Sequence, residues 1–283
     1  MTDTKKLFDG GVFEGERALY NTHGAKIVNS CFQNGESPLK ESSELEISSC
    51  IFRWKYPLWY SKNVQLFDCA LLDTARSGIW YTSGISLKNC SVQAPKTFRR
   101  ASSISLENTT LSCAAETLWS CRDITMKNVS AKGDYFAMNS ENITAENFSL
   151  DGNYAFDGAK NVKIKNARLL SKDAFWNTEN VEVCDSVIIG EYLGWNSKNV
   201  RFVNCTIESN QGLCYMENVE LVNCKLINTD LAFEFSSANA EITTDVVSVK
   251  NPTSGRIAAK SIGEIILDEN LIDPAKTEII TEE

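Results

Sequence analysis

One unit recurs every 19–21 residues along most of this chain. KNVQLFDCALL (62–72), SSISLENTTL (102–111), KNVKIKNARL (160–169) and ENVELVNCKL (217–226) are four of its copies. A unit this short cannot bury its own apolar face. Stacking successive copies buries a shared core, so a regular period of this length predicts a solenoid.

Each copy opens on an apolar anchor: Ala25, Leu45, Val64, Ile85, Ile104, Ile124, Ile143, Val162, Val181, Val200 and Val219. A second apolar column follows two residues on, with a mostly polar residue between, which is the alternation of a strand with one buried face. Four residues after the anchor stand Asn29, Ser49, Asp68, Asn89, Asn108, Asn128, Asn147, Asn166, Asp185, Asn204 and Asn223. Asn and Asp tolerate the left-handed backbone region, so this column predicts a sharp corner between two short strands. Stacked amides can also pass hydrogen bonds from copy to copy, and a seam of them is expected inside the corner. A third strand is expected just upstream of each anchor. Three strands per turn give an all-β, right-handed parallel β-helix of about eleven turns of 19–20 residues with an Asn ladder. The whole chain, 1–283, reads as one domain. Residues 1–16 are expected to cap it, 17–237 to form the regular turns, and 238–283 to form irregular turns and a mobile acidic tail.

The ten cysteines do not spell a disulfide set. Cys50, Cys69, Cys90, Cys205 and Cys224 share one column, five residues after the anchor, with Thr109, Val129 and Ala167. That column asks for something small, and a buried free thiol serves. With one histidine and no CxxC, neither a metal nor a cofactor site is expected. A net charge of −9 without a basic stripe argues against a nucleic-acid partner. No apolar run reaches the roughly 20 residues of a membrane span. The first residues, MTDTKKLFDGGVFEGE, lack a signal-peptide core, and the cytoplasm is the expected compartment.

Uniform turns leave no long loops, so any site must lie on the strand faces and corners. Trp59, Trp80, Trp119, Trp176 and Trp195 share the column five residues before the anchor. Aromatic rows of this kind can stack sugar rings, or can bury a subunit interface. Lys96, Arg99 and Arg100 could grip a uronate carboxylate. Asp157, Asp173 and Glu191 lie further along. Asp173 and Glu191 are one turn and one residue apart, about 5–7 Å on strand geometry, which suits an acid and a nucleophile or base on a glycosidic bond.

The turn period and the Asn column resemble the right-handed β-helix of the pectin-lyase-like superfamily. The strings KYPLWY (55–60), SKDAFWNTENV (171–181), GEYLGW (190–195) and SIGEIILDEN (261–270) are similar to a bacterial β-helix family known only as a domain of unknown function. The resemblance implies the fold and brings no reaction with it. Superfamily lyases hold Ca²⁺ with carboxylates and its hydrolases use an Asp cluster; neither constellation maps onto this chain residue by residue. Two readings therefore stand. One is a carbohydrate-binding or carbohydrate-processing protein, lyase-like or glycoside-hydrolase-like if an enzyme. The other is a non-catalytic assembly protein whose aromatic face makes a homo-oligomer.

Overall fold

The computed structural model describes residues 5–282. It divides into two compact units, Met1–Asn142 and Ile143–Glu283. Each is an all-β parallel solenoid.

In unit 1 the anchors lie in one register line: Ala25 opposite Leu45, Leu45 opposite Val64, Val64 opposite Ile85, Ile85 opposite Ile104 and Ile104 opposite Ile124. Unit 2 repeats the arrangement with Val162, Val181, Val200 and Val219. Every anchor is buried, because alternation in a strand sends one set of side chains inward and the neighbouring coil holds that set in place. Aromatic rings stack down the interior. Phe13, Phe32 and Phe52 follow one another at 5.1 and 4.7 Å, the second pair within 1° of parallel. Phe156 and Phe175 stack at 5.2 Å in unit 2.

The corner column behaves as its residues demand. All eleven members, Asn29 to Asn223, are left-handed, with φ between 47° and 54°. Their amides lie on the outside of the corner, however, not within it. In unit 1, Asn108 donates to Asn89 at 3.1 Å and Asn128 to Asn108 at 2.8 Å. In unit 2, Asn166 donates to Asn147 at 2.7 Å and Asn223 to Asn204 at 2.8 Å. The inward place belongs to the next residue. There the thiols of Cys50, Cys69 and Cys90 donate to the carbonyls of Ser48, Phe67 and Lys88, as the hydroxyls of Ser30, Thr109 and Ser186 do in their own copies. In these copies Cys, Ser and Thr interchange because each is a small donor, while Val129 and Ala167 fill the same column without one.

Three features depart from the sequence reading. The coils number about fifteen, seven in unit 1 and eight in unit 2, rather than eleven. Lys6–Asp9 pairs with Ala25–Val28 and Val12–Phe13 with Cys31–Phe32, so these residues form a coil of their own. At the other end Ser237–Lys250, Ser254–Ile266 and Thr277–Thr281 continue the stack. There the register steps by 17 residues, Ser237 against Ser254, and the Asn corner is lost. The acidic end is therefore a paired strand up to Thr281, and Glu283 lies outside the described residues.

The third strand is the other departure. Among the described residues only Ile79–Trp80 and Phe98–Arg99 form strands there, with isolated bridges at Trp119 and Ala232. Elsewhere the segment winds through left-handed residues, as in Asp173, Phe175 and Asn177. Forcing Leu and Phe into that region costs about 1–2 kcal/mol each. Coil-to-coil hydrogen bonds such as Asp173 N to Glu191 O and Asn177 N to Trp195 O offset the cost.

No disulfide joins the cysteines among the described residues. Cys31, Cys113 and Cys184 are half-buried, and the other seven are buried. Burial pushes the thiols of Cys121 and Cys214 up to about 12. A thiol reagent applied to the folded chain should modify Cys31, Cys113 and Cys184 first. The remainder should react only after denaturation; fast labelling of all ten would contradict this packing.

Candidate functional site

The residues singled out from sequence fall into two groups. Trp59, Trp80, Trp119, Lys96, Arg99 and Arg100 belong to unit 1. Trp176, Trp195, Asp157, Asp173 and Glu191 belong to unit 2.

In unit 1 the column stacks tightly. Trp59 and Trp80 lie 5.2 Å apart and within 7° of parallel. The Arg99 guanidinium follows, 4.8 Å from the Trp80 ring and 5.0 Å from Trp119. Two indole N–H groups are held as well: Trp59 donates to Ser77 O at 2.5 Å and Trp80 to Lys96 O at 2.8 Å. The ring faces of Trp80 are thus covered by Trp59 and Arg99, so it meets solvent with an edge. The cations are similarly occupied. Lys96 and Arg99 both pair with Glu116, at 3.1 and 2.9 Å. Partial burial pushes the Glu116 carboxyl up, but the two cations outweigh it and hold the group below its usual range. Arg100 makes no ion pair among the described residues and rests 5.9 Å from the Tyr81 ring.

This geometry makes Arg99 a structural clamp. Arg99→Ala should destabilise the chain by about 2–3 kcal/mol, since it removes two cation–π contacts and one charge-assisted hydrogen bond. Arg99→Lys should recover only part of that, because an ammonium cannot lie flat between two rings. Urea unfolding measures both; an alanine variant as stable as the parent would refute the clamp.

In unit 2, Trp176 and Trp195 stack at 5.7 Å and 12°, with their N–H groups on Tyr192 O and Gln211 O. Asp157 accepts a hydrogen bond from the Asn177 amide at 2.8 Å. Glu191 is exposed and pairs with Lys172 at 3.1 Å, which raises the ammonium's pKa. Asp173 differs from both. It is only 2 % exposed, and its Oδ1 is buried with no hydrogen-bond partner. Burial raises the pKa of its carboxyl, against the opposing pull of Lys172 and a hydrogen bond from Tyr154. Tyr154 and Tyr192 occupy the position of Asp173 on the coils before and after, eight residues ahead of their anchors. Tyr154 stands edge-on to Trp176 at 6.3 Å, and Tyr192 edge-on to Trp195 at 5.3 Å. Asp173 is therefore a carboxyl set in an aromatic column, an environment that favours the protonated form. The two tyrosines were not singled out from sequence, although reading that column from coil to coil would have found them. Among the described residues no cluster of three or more His, Cys, Asp or Glu could hold a metal ion.

A parallel β-solenoid with an aromatic, acid-bearing corner defines the class of protein. Within it, the chain belongs to the family described as "Protein of unknown function (DUF3737)", which matches residues 6–280. No curated protein is similar to it in sequence. Among solved structures it is similar to a tailspike protein of E. coli bacteriophage HK620 in complex with a hexasaccharide. That match has 8% identity and a TM-score of 0.53, covering 91% of this chain and 71% of that one. Tailspike protein 3 of bacteriophage CBA120 matches at 10% identity and TM-score 0.47, over 97% of this chain and 56% of that one. The A-module of a mannuronan C-5 epimerase from Azotobacter vinelandii matches at 9% identity and TM-score 0.32, over 97% and 88%. At these identities the likeness is one of fold, and it rests on the first match alone.

Proposed function

We propose that the chain binds an oligosaccharide on the aromatic corner of unit 2 and cleaves it with Asp173 as general acid. The observation that carries this reading is the buried Asp173 carboxyl with its unpartnered Oδ1. A carboxyl whose burial favours its protonated form is suited to proton donation to a leaving oxygen. In the proposed step the Asp173 proton passes to the glycosidic oxygen as the bond from that oxygen to the anomeric carbon breaks. Water adds to the anomeric carbon, and its proton passes to a second carboxylate. Glu191, exposed and paired with Lys172, fills that role; Asp157, committed to Asn177, fits it less well. Trp176 and Trp195 line the approach. The similarity to a tailspike solved with a hexasaccharide supports the substrate class. Reducing-end release from a panel of oligosaccharides, compared between the parent and Asp173→Asn, tests the reading; equal release from both would overturn it.

The tyrosines of unit 1 favour a second reading for that unit, a contact with another copy of the chain. Tyr60 is 47% exposed and stacks on Tyr81 at 4.8 Å, with the Lys40 ammonium 5.6 Å from its ring centre. Light scattering on the parent and Tyr60→Ser decides it, since only a dimer that dissociates in the variant agrees. The free thiols fit a reducing compartment such as the cytoplasm.

A further inference from the structure

Aromatic packing changes character at one corner of unit 2. Trp176 and Trp195 lie nearly parallel, but Tyr215 is tilted 58° from Trp195 at 5.0 Å, and Phe235 is tilted 41° from Tyr215 at 5.6 Å. The tilt opens the stack, and Tyr215 is 43% exposed. Beside it runs an open groove of about 370 Å³ lined by Asn196, Lys198, Tyr215, Glu217, Phe235 and Thr253. Lys198 and Glu217 pair at 2.9 Å, so together they add no net charge to it.

The groove also has a directed acceptor. Asn196 donates its amide to Asn177 at 2.8 Å, and Asn177 donates in turn to Asp157. The next residue in that column is Tyr215, so the run of amides stops. The Asn196 Oδ1 is left without a donor among the described residues, at the end of a polarised chain of hydrogen bonds. The matching corner of unit 1 forms a groove of about 290 Å³ lined by Arg100, Ser102, Ser120, Arg122, Asn139 and Glu141, with no aromatic wall.

A half-exposed aromatic ring beside an unfilled acceptor, in a charge-balanced groove, suits a ligand with an apolar CH face and hydroxyl donors. We infer that the Tyr215–Phe235 corner is a binding subsite for an uncharged hexose ring of an oligosaccharide, its CH face on Tyr215 and a hydroxyl on the Asn196 Oδ1. The inference rests on the reading of unit 2 as a saccharide surface, but it concerns binding and not bond cleavage.

Calorimetric titration of the full chain with maltohexaose, cellohexaose, laminarihexaose and hexagalacturonate tests it. At least one of the three neutral hexamers should bind. Tyr215→Asn should weaken that binding by about tenfold or more. Asparagine tolerates the left-handed backbone at that position (φ 57°) and would extend the amide column, so a melting curve like the parent's is expected. Tyr215→Phe should bind as the parent does. Failure of every neutral hexamer to bind, binding of hexagalacturonate alone, or affinity unchanged in Tyr215→Asn would each overturn the subsite. Asp173→Asn separates the two readings. Binding that depends on Tyr215 without any turnover sinks the catalytic reading alone. Turnover that depends on Asp173 but not on Tyr215 sinks the subsite alone.

Discussion

An Asp173→Asn chain is expected to lose about 100- to 10,000-fold of its glycoside-cleaving turnover, the range ascribed to a positioned general acid, and to become more stable at neutral pH. Asparagine has the shape of aspartate and accepts the left-handed backbone at residue 173 (φ 57°), so the fold should survive. It cannot supply a proton. The gain in stability follows from burial. The folded state raises the carboxyl's pKa above its unfolded value of about 3.9. Between those two values the folded chain holds more protons than the unfolded one, so stability falls as pH rises through the window. Asparagine has no charge to bury, and its curve lacks that fall. The difference in melting temperature between variant and parent should therefore be near zero in acid, widen as pH rises from the unfolded value to the raised one, and level off above it. Each kcal/mol relieved corresponds to about 2–4 °C in a chain of this size. A difference that stays flat with pH would mean that the carboxyl is not in the environment described. Turnover should fall on the alkaline side, as the acid loses its proton.

The second large effect lies in the interior of unit 1. Phe52→Ala should remove about 3–5 kcal/mol of stability. Phe52 is fully buried and stacked on Phe32 at 4.7 Å, which stacks on Phe13 in turn. Coils above and below fix its surroundings, so the vacated space cannot close without shifting strand register. Phe67, one coil on but 43% exposed, is the control. Phe67→Ala should change stability by less than about 0.5 kcal/mol, as surface exchanges usually do. Urea midpoints measure both. Similar losses at Phe52 and Phe67 would contradict the inward and outward assignment of their columns.

Much of the fold could be read from the letters because the repeat encodes it twice. The anchors Val64, Ile85 and Ile104 carry the apolar alternation, and Asp68, Asn89 and Asn108 carry the corner. Both signals are local, and both columns run true in space. The coils at the two ends fall outside the count of regular turns because they drop the Asn; residues 238–283 read only as irregular turns. The left-handed backbone at Leu118, Phe156, Phe175 and Leu213 had no signal at all. Propensity argues against it, and hydrogen bonding between coils imposes it. For the candidate site, the column of Trp59 and Trp80 was legible, but the angle of its rings was not. Sequence places neighbours; packing decides whether a ring shows a face or an edge. Asp173 was visible as an acid, yet its burial and its hydrogen bond from Tyr154, on the preceding coil nineteen residues away, were not.

That position has a wider consequence. Tyrosine, aspartate and tyrosine take equivalent stations on three consecutive coils. A single-codon change from tyrosine to aspartate at any one station would shift the acid by one strand spacing along the surface and leave the scaffold alone. On the reading proposed for Asp173, that would relocate the acid along a ladder of ready-made rungs and let close kin act on different molecules while looking alike in outline.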